Sequence, residues 1–174
     1  MYHVILFMNQ YEGKESHMLT QFKAKDVAFV CIGTDAVMGD SLGPIVGTYL
    51  KRLGYEVYGT LDSPVHALNL KYVIPTLPKN KTIIAIDASL GMPLEVGKIT
   101  IGKGPIYPGK GIGRNLPPIG DYHIMGIVGP YTRAPGLVLA NTRLRKVFRM
   151  AEEIVDTIAR AIPIAHQEVA VTGR

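Results

Sequence analysis

The spacing of apolar positions changes character at residue 27. Residues 27–32 (VAFVCI) form an unbroken apolar run of strand length ended by Gly33, the pattern of a strand buried on both faces and so of a parallel sheet. After a loop over 33–43, Pro44 suits a first helical turn, and Ile45, Val46, Tyr49, Leu50 and Leu53 recur at helical spacing up to Gly54, a usual stop signal. The alternation then repeats, with 55–60 as a strand, 65–74 as a helix halted by Pro75, and 82–88 (TIIAIDA) as a third buried strand. Three strands separated by two helices predict a wound α/β sheet with right-handed crossovers.

Further along, 96–101 alternates apolar and polar residues like an edge strand or hairpin arm. Residues 102–120 hold six glycines and four prolines, too many for a regular element, which predicts a long functional loop. A strand is expected over 122–128. Leu144, Val147, Phe148, Ala151, Ile154, Val155 and Ile158 then form one apolar stripe of a final helix. The expected architecture is a three-layer wound, mainly parallel α/β sheet forming a single domain over 27–165. Residues 1–26 read as an extension with no assigned place, and 166–174 as a tail.

Composition narrows the function classes. A chain of 174 residues with 47% hydrophobic and 19% charged content supports one ordinary core. Its net charge of +5 favours acidic partners weakly and does not describe a dedicated nucleic-acid binder. The single cysteine, Cys31, excludes an internal disulfide framework, fits a reducing compartment, and lies between Val30 and Ile32 as a packed thiol would. No apolar run approaches membrane-spanning length, and the apolar stretch 4–8 is too short for a signal peptide. A cytoplasmic protein without membrane contact is expected.

Candidate chemistry concentrates where ligands bind in open α/β sheets, beyond the carboxyl ends of the strands at the point where successive connections leave on opposite faces. With the strand order 2-1-3, that crevice receives Asp40, in the turn GDSLGP after the first strand, and Asp87, at the end of the third. The helix start after Asp40 favours its ionised form, whereas the apolar strand around Asp87 favours the protonated one. Two carboxyls so differentiated can share a proton and activate a water, or bind a divalent cation. The competing readings are a helix cap for Asp40 together with Ser41 and a turn residue for Asp87. Asp35 is the candidate third carboxylate.

Other motifs carry less. GPIYPGK over 104–110 has Walker A spacing, but Gly111 stands where Ser or Thr should hold magnesium, and Pro105 and Pro108 remove amide donors. His66 and His123 are candidate polar residues of the site, each with an ordinary packing role as the alternative. Arg143, Arg145, Lys146 and Arg149 form a basic helix face, read as solvated rather than as an anion site.

The strings CIGTDAVMGDSLGPIVG, VYGTLDSPVHALNL, IIAIDASLG, PGKGIGRNLPPIGDYHIMGIV and NTRL together resemble the sporulation protein YyaC family of spore-forming bacteria over residues 27–150. That family is in turn similar to the spore germination protease and, more remotely, to the hydrogenase maturation endopeptidases, which implies a phosphorylase/hydrolase-like α/β fold. The resemblance to the germination protease implies catalytic aspartates at Asp40 and Asp87 and an aspartic-type peptidase of spore formers, acting on a protein or peptide substrate such as spore proteins. In the hydrogenase endopeptidases the matching positions help bind a metal together with a later histidine, for which this chain offers no match. No cofactor is therefore assigned, with a divalent metal on Asp40 and Asp87 as the alternative. This chain also has Ala36, Val37 and Met38 where relatives carry polar residues, often Arg-Ser-Thr. Gly33, Asp35, Gly39, His66, Lys110 and Arg114 complete the expected substrate-binding set, with Lys103, Lys110 and Arg114 suited to an acidic partner. A binding or assembly module that has lost catalysis is the second reading, and a homo-oligomer is compatible with either.

Overall fold

The computed structural model describes residues 16–109 and 116–164. Five strands, β1 (Val27–Cys31), β2 (Val57–Tyr58), β3 (Thr82–Gly91), β4 (Ile99–Lys103) and β5 (Tyr122–Pro130), form one sheet in the order β2-β1-β3-β5-β4. All neighbours are parallel except β4, which pairs antiparallel with β5. The α-helices among the described residues are α1 (Leu42–Leu53), α2 (Leu70–Val73), α3 (Pro135–Ala140) and α4 (Leu144–Ala161).

Side-chain alternation along β1 divides the core. Val27, Phe29 and Cys31 join Ile84, Ile86 and Ile124 under α1 and α4, while Val30, Ile32 and Ala85 meet Val65, Leu70, Ile106 and Ile119 on the other face. The connection from β1 to β2 thus runs through α1 on one face. The connection from β2 to β3 crosses β1 through α2 on the opposite face. The switch point therefore lies beside β1 and β3, as the 2-1-3 order requires.

Several expectations need correction. The strand over 55–60 shrinks to Val57–Tyr58, because Gly59 turns at φ +95°. The helix over 65–74 begins late, because Val65 is held by the sheet in a parallel bridge to Ile32 and its carbonyl accepts the Gly33 N–H (2.8 Å). The helix α2 starts only at Leu70 and runs into a 3-10 turn at Ile74–Thr76. Conversely, β3 continues to Gly91 and β5 to Pro130, since the two pair with each other past the end of β1 through an irregularity at Ser89/Leu90. Asp87 is therefore inside β3 rather than at its end.

The amino-terminal boundary also moves. Residues 16–26 contain two 3-10 turns, Ser16–Met18 and Ala24–Asp26. Leu19 between them is fully buried in the main core, and Phe22 meets Tyr122 edge-to-face with centroids 5.0 Å apart. The domain starts before residue 27. Leu19→Ala is expected to cost about 2–5 kcal/mol, the usual range for emptying a buried leucine site, read by urea unfolding at unchanged m; a loss under about 0.5 kcal/mol would mean that this segment does not belong to the cooperative unit.

Candidate functional site

The loop after β1 returns to the sheet through backbone contacts. Gly33 sits at φ +139°, and a Cβ there would overlap the carbonyl oxygen of Asp40. Thr34 N–H is shared between that carbonyl (3.2 Å) and Asp40 Oδ2 (3.0 Å). Asp40 thus sits in the 3-10 turn Met38–Ser41 with its carboxylate drawn back over its own loop. It does not cap α1. Nor does Ser41, whose hydroxyl donates to the Met38 carbonyl (2.6 Å).

The turn leads into α1, which lies directly on the strand ends. A Cβ on Gly43 would overlap the Ile32 carbonyl oxygen, and one on Gly47 the Gly59 carbonyl oxygen. These two glycines, four residues apart on one helix stripe, bring the helix backbone against the sheet backbone. Gly39 plays a similar part towards the segment 139–142, since its Cβ would stand 2.9 Å from both the Leu139 carbonyl oxygen and Thr142 Oγ1. The Cβ directions of Gly33 and Gly39 are thus filled by protein atoms.

Asp87 enters from the sheet. The last β1–β3 pair is Cys31 with Ile86, and Ile32 N–H donates to the Ile86 carbonyl (2.7 Å), so Asp87 is the first β3 residue beyond the end of β1. Its side chain alternates to the same face as Ala85 and is only 8% exposed. Oδ1 accepts the Ala88 N–H (2.8 Å). Burial raises the Asp87 carboxyl well above the ordinary carboxylate range, the nearby charge of Asp40 raises it further, and the Ala88 N–H opposes both. The loop after β1 and the part of β3 beyond β1 thus bring the two carboxyls within electrostatic reach of each other.

For Asp40 the structure corrects the expectation of a simply favoured anion. Burial raises its carboxyl, and the Thr34 N–H and then His66 pull it back down. Both carboxyls are raised, Asp87 the more strongly, which favours Asp87 as the protonated partner and Asp40 as the anion. The Val65–Gly33 bond explains why His66 lies near enough for its charge to act on Asp40, because the residue after Val65 must lie beside the loop that follows Gly33. The ring is held by Leu68 N–H donating to Nδ1 (3.2 Å), and the His66 N–H donates to Asn69 Oδ1 (2.8 Å).

The remaining candidates separate. Asp35 is exposed on the loop, next to the Thr34 whose N–H binds Asp40. His123 lies near the start of β5, with Nδ1 against the Gly104 carbonyl oxygen (2.9 Å) and its ring over Gly102, which is a packing role. Lys110 and Arg114 lie outside the described residues, and Lys103 is exposed at the end of β4. A cleft of about 190 Å³ runs along β2 and α2, lined by Lys51, Tyr58, Thr60, Ser63 and Asn69 among others, and includes neither aspartate. Sequence reasoning missed α3, whose sole advance signal was Pro135 at a helix start; α3 closes the site behind Gly39.

A metal would need further donors. Among the described residues no three His, Cys, Asp or Glu side chains are grouped so that they could hold a metal ion, and His66 Nδ1 already accepts an N–H. The donor set does not fit a metal held by three protein ligands. Among the described residues, no helix is long and apolar enough to cross a membrane.

Two solved structures share the fold. The [NiFe] hydrogenase maturation protease HycI from Thermococcus kodakarensis KOD1 superposes with a TM-score of 0.56 at 17% identity, over 84% of this chain and 97% of that one. The [NiFe] hydrogenase maturation protease HybD from Thermococcus kodakarensis gives 0.51 at 13% identity, over 77% and 97%. The α/β architecture, a mostly parallel five-stranded sheet with helices, is thus that of the hydrogenase maturation proteases. In sequence, "Uncharacterized protein YyaC" of Bacillus subtilis (strain 168) is 45% identical over 150 residues, covering 83% of this chain and 73% of that protein. Residues 7–157 match the model of the family described as "Protein of unknown function (DUF1256)", and the chain belongs to that family, with YyaC as a relative.

Proposed function

We propose that the chain is an aspartic-type peptidase of spore-forming bacteria in which Asp40 and Asp87 activate a water for hydrolysis of a peptide bond. The observation that carries the proposal is the coupled pair itself: two carboxyls from independent elements, at the switch point of a peptidase-like fold, with their ionisation pushed apart. Such a pair supplies a base and an acid at one pH. Water attacks the carbonyl carbon as the Asp40 carboxylate takes its proton and Asp87 gives its own proton to the carbonyl oxygen. When the tetrahedral adduct collapses, the C–N bond breaks, Asp40 passes its proton to the leaving nitrogen, and Asp87 regains a proton from the hydroxyl. A carboxylic acid and an amine result, and both aspartates return to their starting states. A role in sporulation is part of the same proposal and rests on the sequence resemblance alone.

The test is incubation of the purified chain with a proteome-derived peptide library, followed by mass spectrometry of new termini. Cleavage is expected for the parent and, for Asp40→Ala, a loss of about a thousandfold or more, as for other members of a concerted catalytic group. A chelator is expected to leave the rate unchanged. No cleavage by the parent, or a rate abolished by chelator and restored by a divalent ion, would overturn the aspartic reading. Peptides retained but never cut would instead favour the binding or assembly module.

A further inference from the structure

The apolar stripe of α4 is wider than its cover. Its periodicity buries Val147, Ala151, Ile154 and Ile158 but leaves Leu144 44% and Phe148 36% exposed, and Leu137 of the neighbouring α3 is 66% exposed. Leu144 and Phe148 are four residues apart and so lie on one helix face. Residues 131–151 include Arg133, Arg143, Arg145, Lys146 and Arg149 and contain no acidic residue. Lys146 is turned inward, its Nζ donating to the Val128 carbonyl (3.3 Å), whereas Arg143, Arg145 and Arg149 are exposed. None of the three forms an ion pair with a carboxylate among the described residues.

We infer that the α3–α4 surface is the docking site for an acidic polypeptide segment carrying apolar side chains, and that it delivers that segment to the aspartate pair. Charge complementarity chooses the occupant. Guanidinium groups match carboxylates in paired hydrogen bonds, and exposed leucine and phenylalanine beside them favour a chain that offers apolar groups at short intervals over a uniformly hydrated polyanion. Position supplies the link to chemistry, because α3 packs on the turn that bears Asp40 through the contacts of Gly39 with Leu139 and Thr142. The inference rests on the peptidase reading for its purpose, but it is tested by binding alone.

The probe is a short fluorescein-labelled peptide of glutamate and leucine spaced by serine, titrated with the full chain by anisotropy. Controls replace glutamate by lysine or leucine by serine; a DNA duplex and phosphatidylglycerol vesicles serve as competing classes. The acidic, leucine-containing peptide should bind best, and its affinity should fall steeply as salt rises from about 50 to about 300 mM, as charges lose reach. Arg143→Glu with Arg145→Glu should weaken it at least tenfold; negative charge at a helix start favours the helix, so the loss would not reflect unfolding. Leu144→Ser with Phe148→Ser should also weaken it at least tenfold, without flattening the salt dependence. Absence of binding by the parent, equal binding by the arginine variant, or tighter binding of duplex or vesicles through the same residues would each overturn the inference. Peptide bound but uncut counts against the peptidase reading alone. Library cleavage indifferent to the arginine and apolar variants counts against this surface alone.

Discussion

Asp87→Asn is expected, on the peptidase proposal, to lose activity by about a thousandfold or more, and yet to be harder to unfold than the parent at neutral pH. The side chain is buried at the end of β1 and faces a second carboxyl, and both circumstances raise its carboxyl in the folded protein. Between the unfolded-state value near 4 and the raised folded-state value, the native protein holds more protons than the unfolded chain. Stability from this source is therefore full below about pH 4, declines as pH rises through that interval, and stays low above it. Asparagine cannot ionise, so the decline disappears. Its Oδ1 can still accept the Ala88 N–H that Asp87 Oδ1 accepts at 2.8 Å. The gain should appear as a Tm rise at pH 7, each kcal/mol being about 2–4 °C for a chain of this size, and should vanish near pH 4 apart from the intrinsic effect of the amide. If Asp87 were merely a turn residue, the variant would be less stable at every pH. Thermal unfolding of both proteins from pH 4 to pH 8 separates these outcomes.

Gly47→Ala should do the opposite of what helix propensity says. In an exposed helix interior the change stabilises by about 1 kcal/mol. Here the added methyl would overlap the Gly59 carbonyl oxygen and stand 3.0 Å from Cys31 Cβ, and backbone cannot step aside as a flexible side chain would. Overpacking of this kind costs about 1–3 kcal/mol or more. The net expectation is a loss of about 2 kcal/mol and a Tm lower by about 4–8 °C, with Gly43→Ala similar because its methyl meets Ile32 backbone on all near sides. Catalysis should fall as well, since α1 can accommodate the methyl only by retreating and taking the Asp40 turn with it. A Gly47→Ala protein with the parent's Tm and the parent's activity would show that the helix does not rest on the sheet in this way.

The strands β1 and β3 and the body of α1 were readable because a buried parallel strand has no polar face to interrupt its apolar run, and because α1 keeps a helical period over three turns. Asp40 and Asp87, the two carboxyls the proposal uses, are visible in the sequence just before α1 and within the third apolar run. Other features depend on partners that the local sequence does not contain. Val65 belongs to the sheet only because Ile32 is there to pair with it, and β3 outlasts its apolar run only because β5 continues beside it. The helix α3 has six residues, too few to display a period. Leu19 is one apolar residue in a mixed segment, so nothing around it announces a core position. Leu144 and Phe148 show the converse, since their period is right and yet the described residues leave them exposed. Gly43 and Gly47 were visible as glycines, but a missing side chain does not say what has come close.

Because α1 rests on carbonyl oxygens, the separation between the Asp40 turn and the sheet is gauged by covalent backbone and van der Waals radii, as by a mechanical stop. Substitutions among the surrounding leucines, isoleucines and valines can loosen or tighten the core without resetting that gauge. A random library screened for heat resistance should therefore yield core variants whose melting temperatures scatter widely while the pH profile of the proposed hydrolysis stays in place. The few variants whose profile moves should map to the glycines and carboxyls that make the stop.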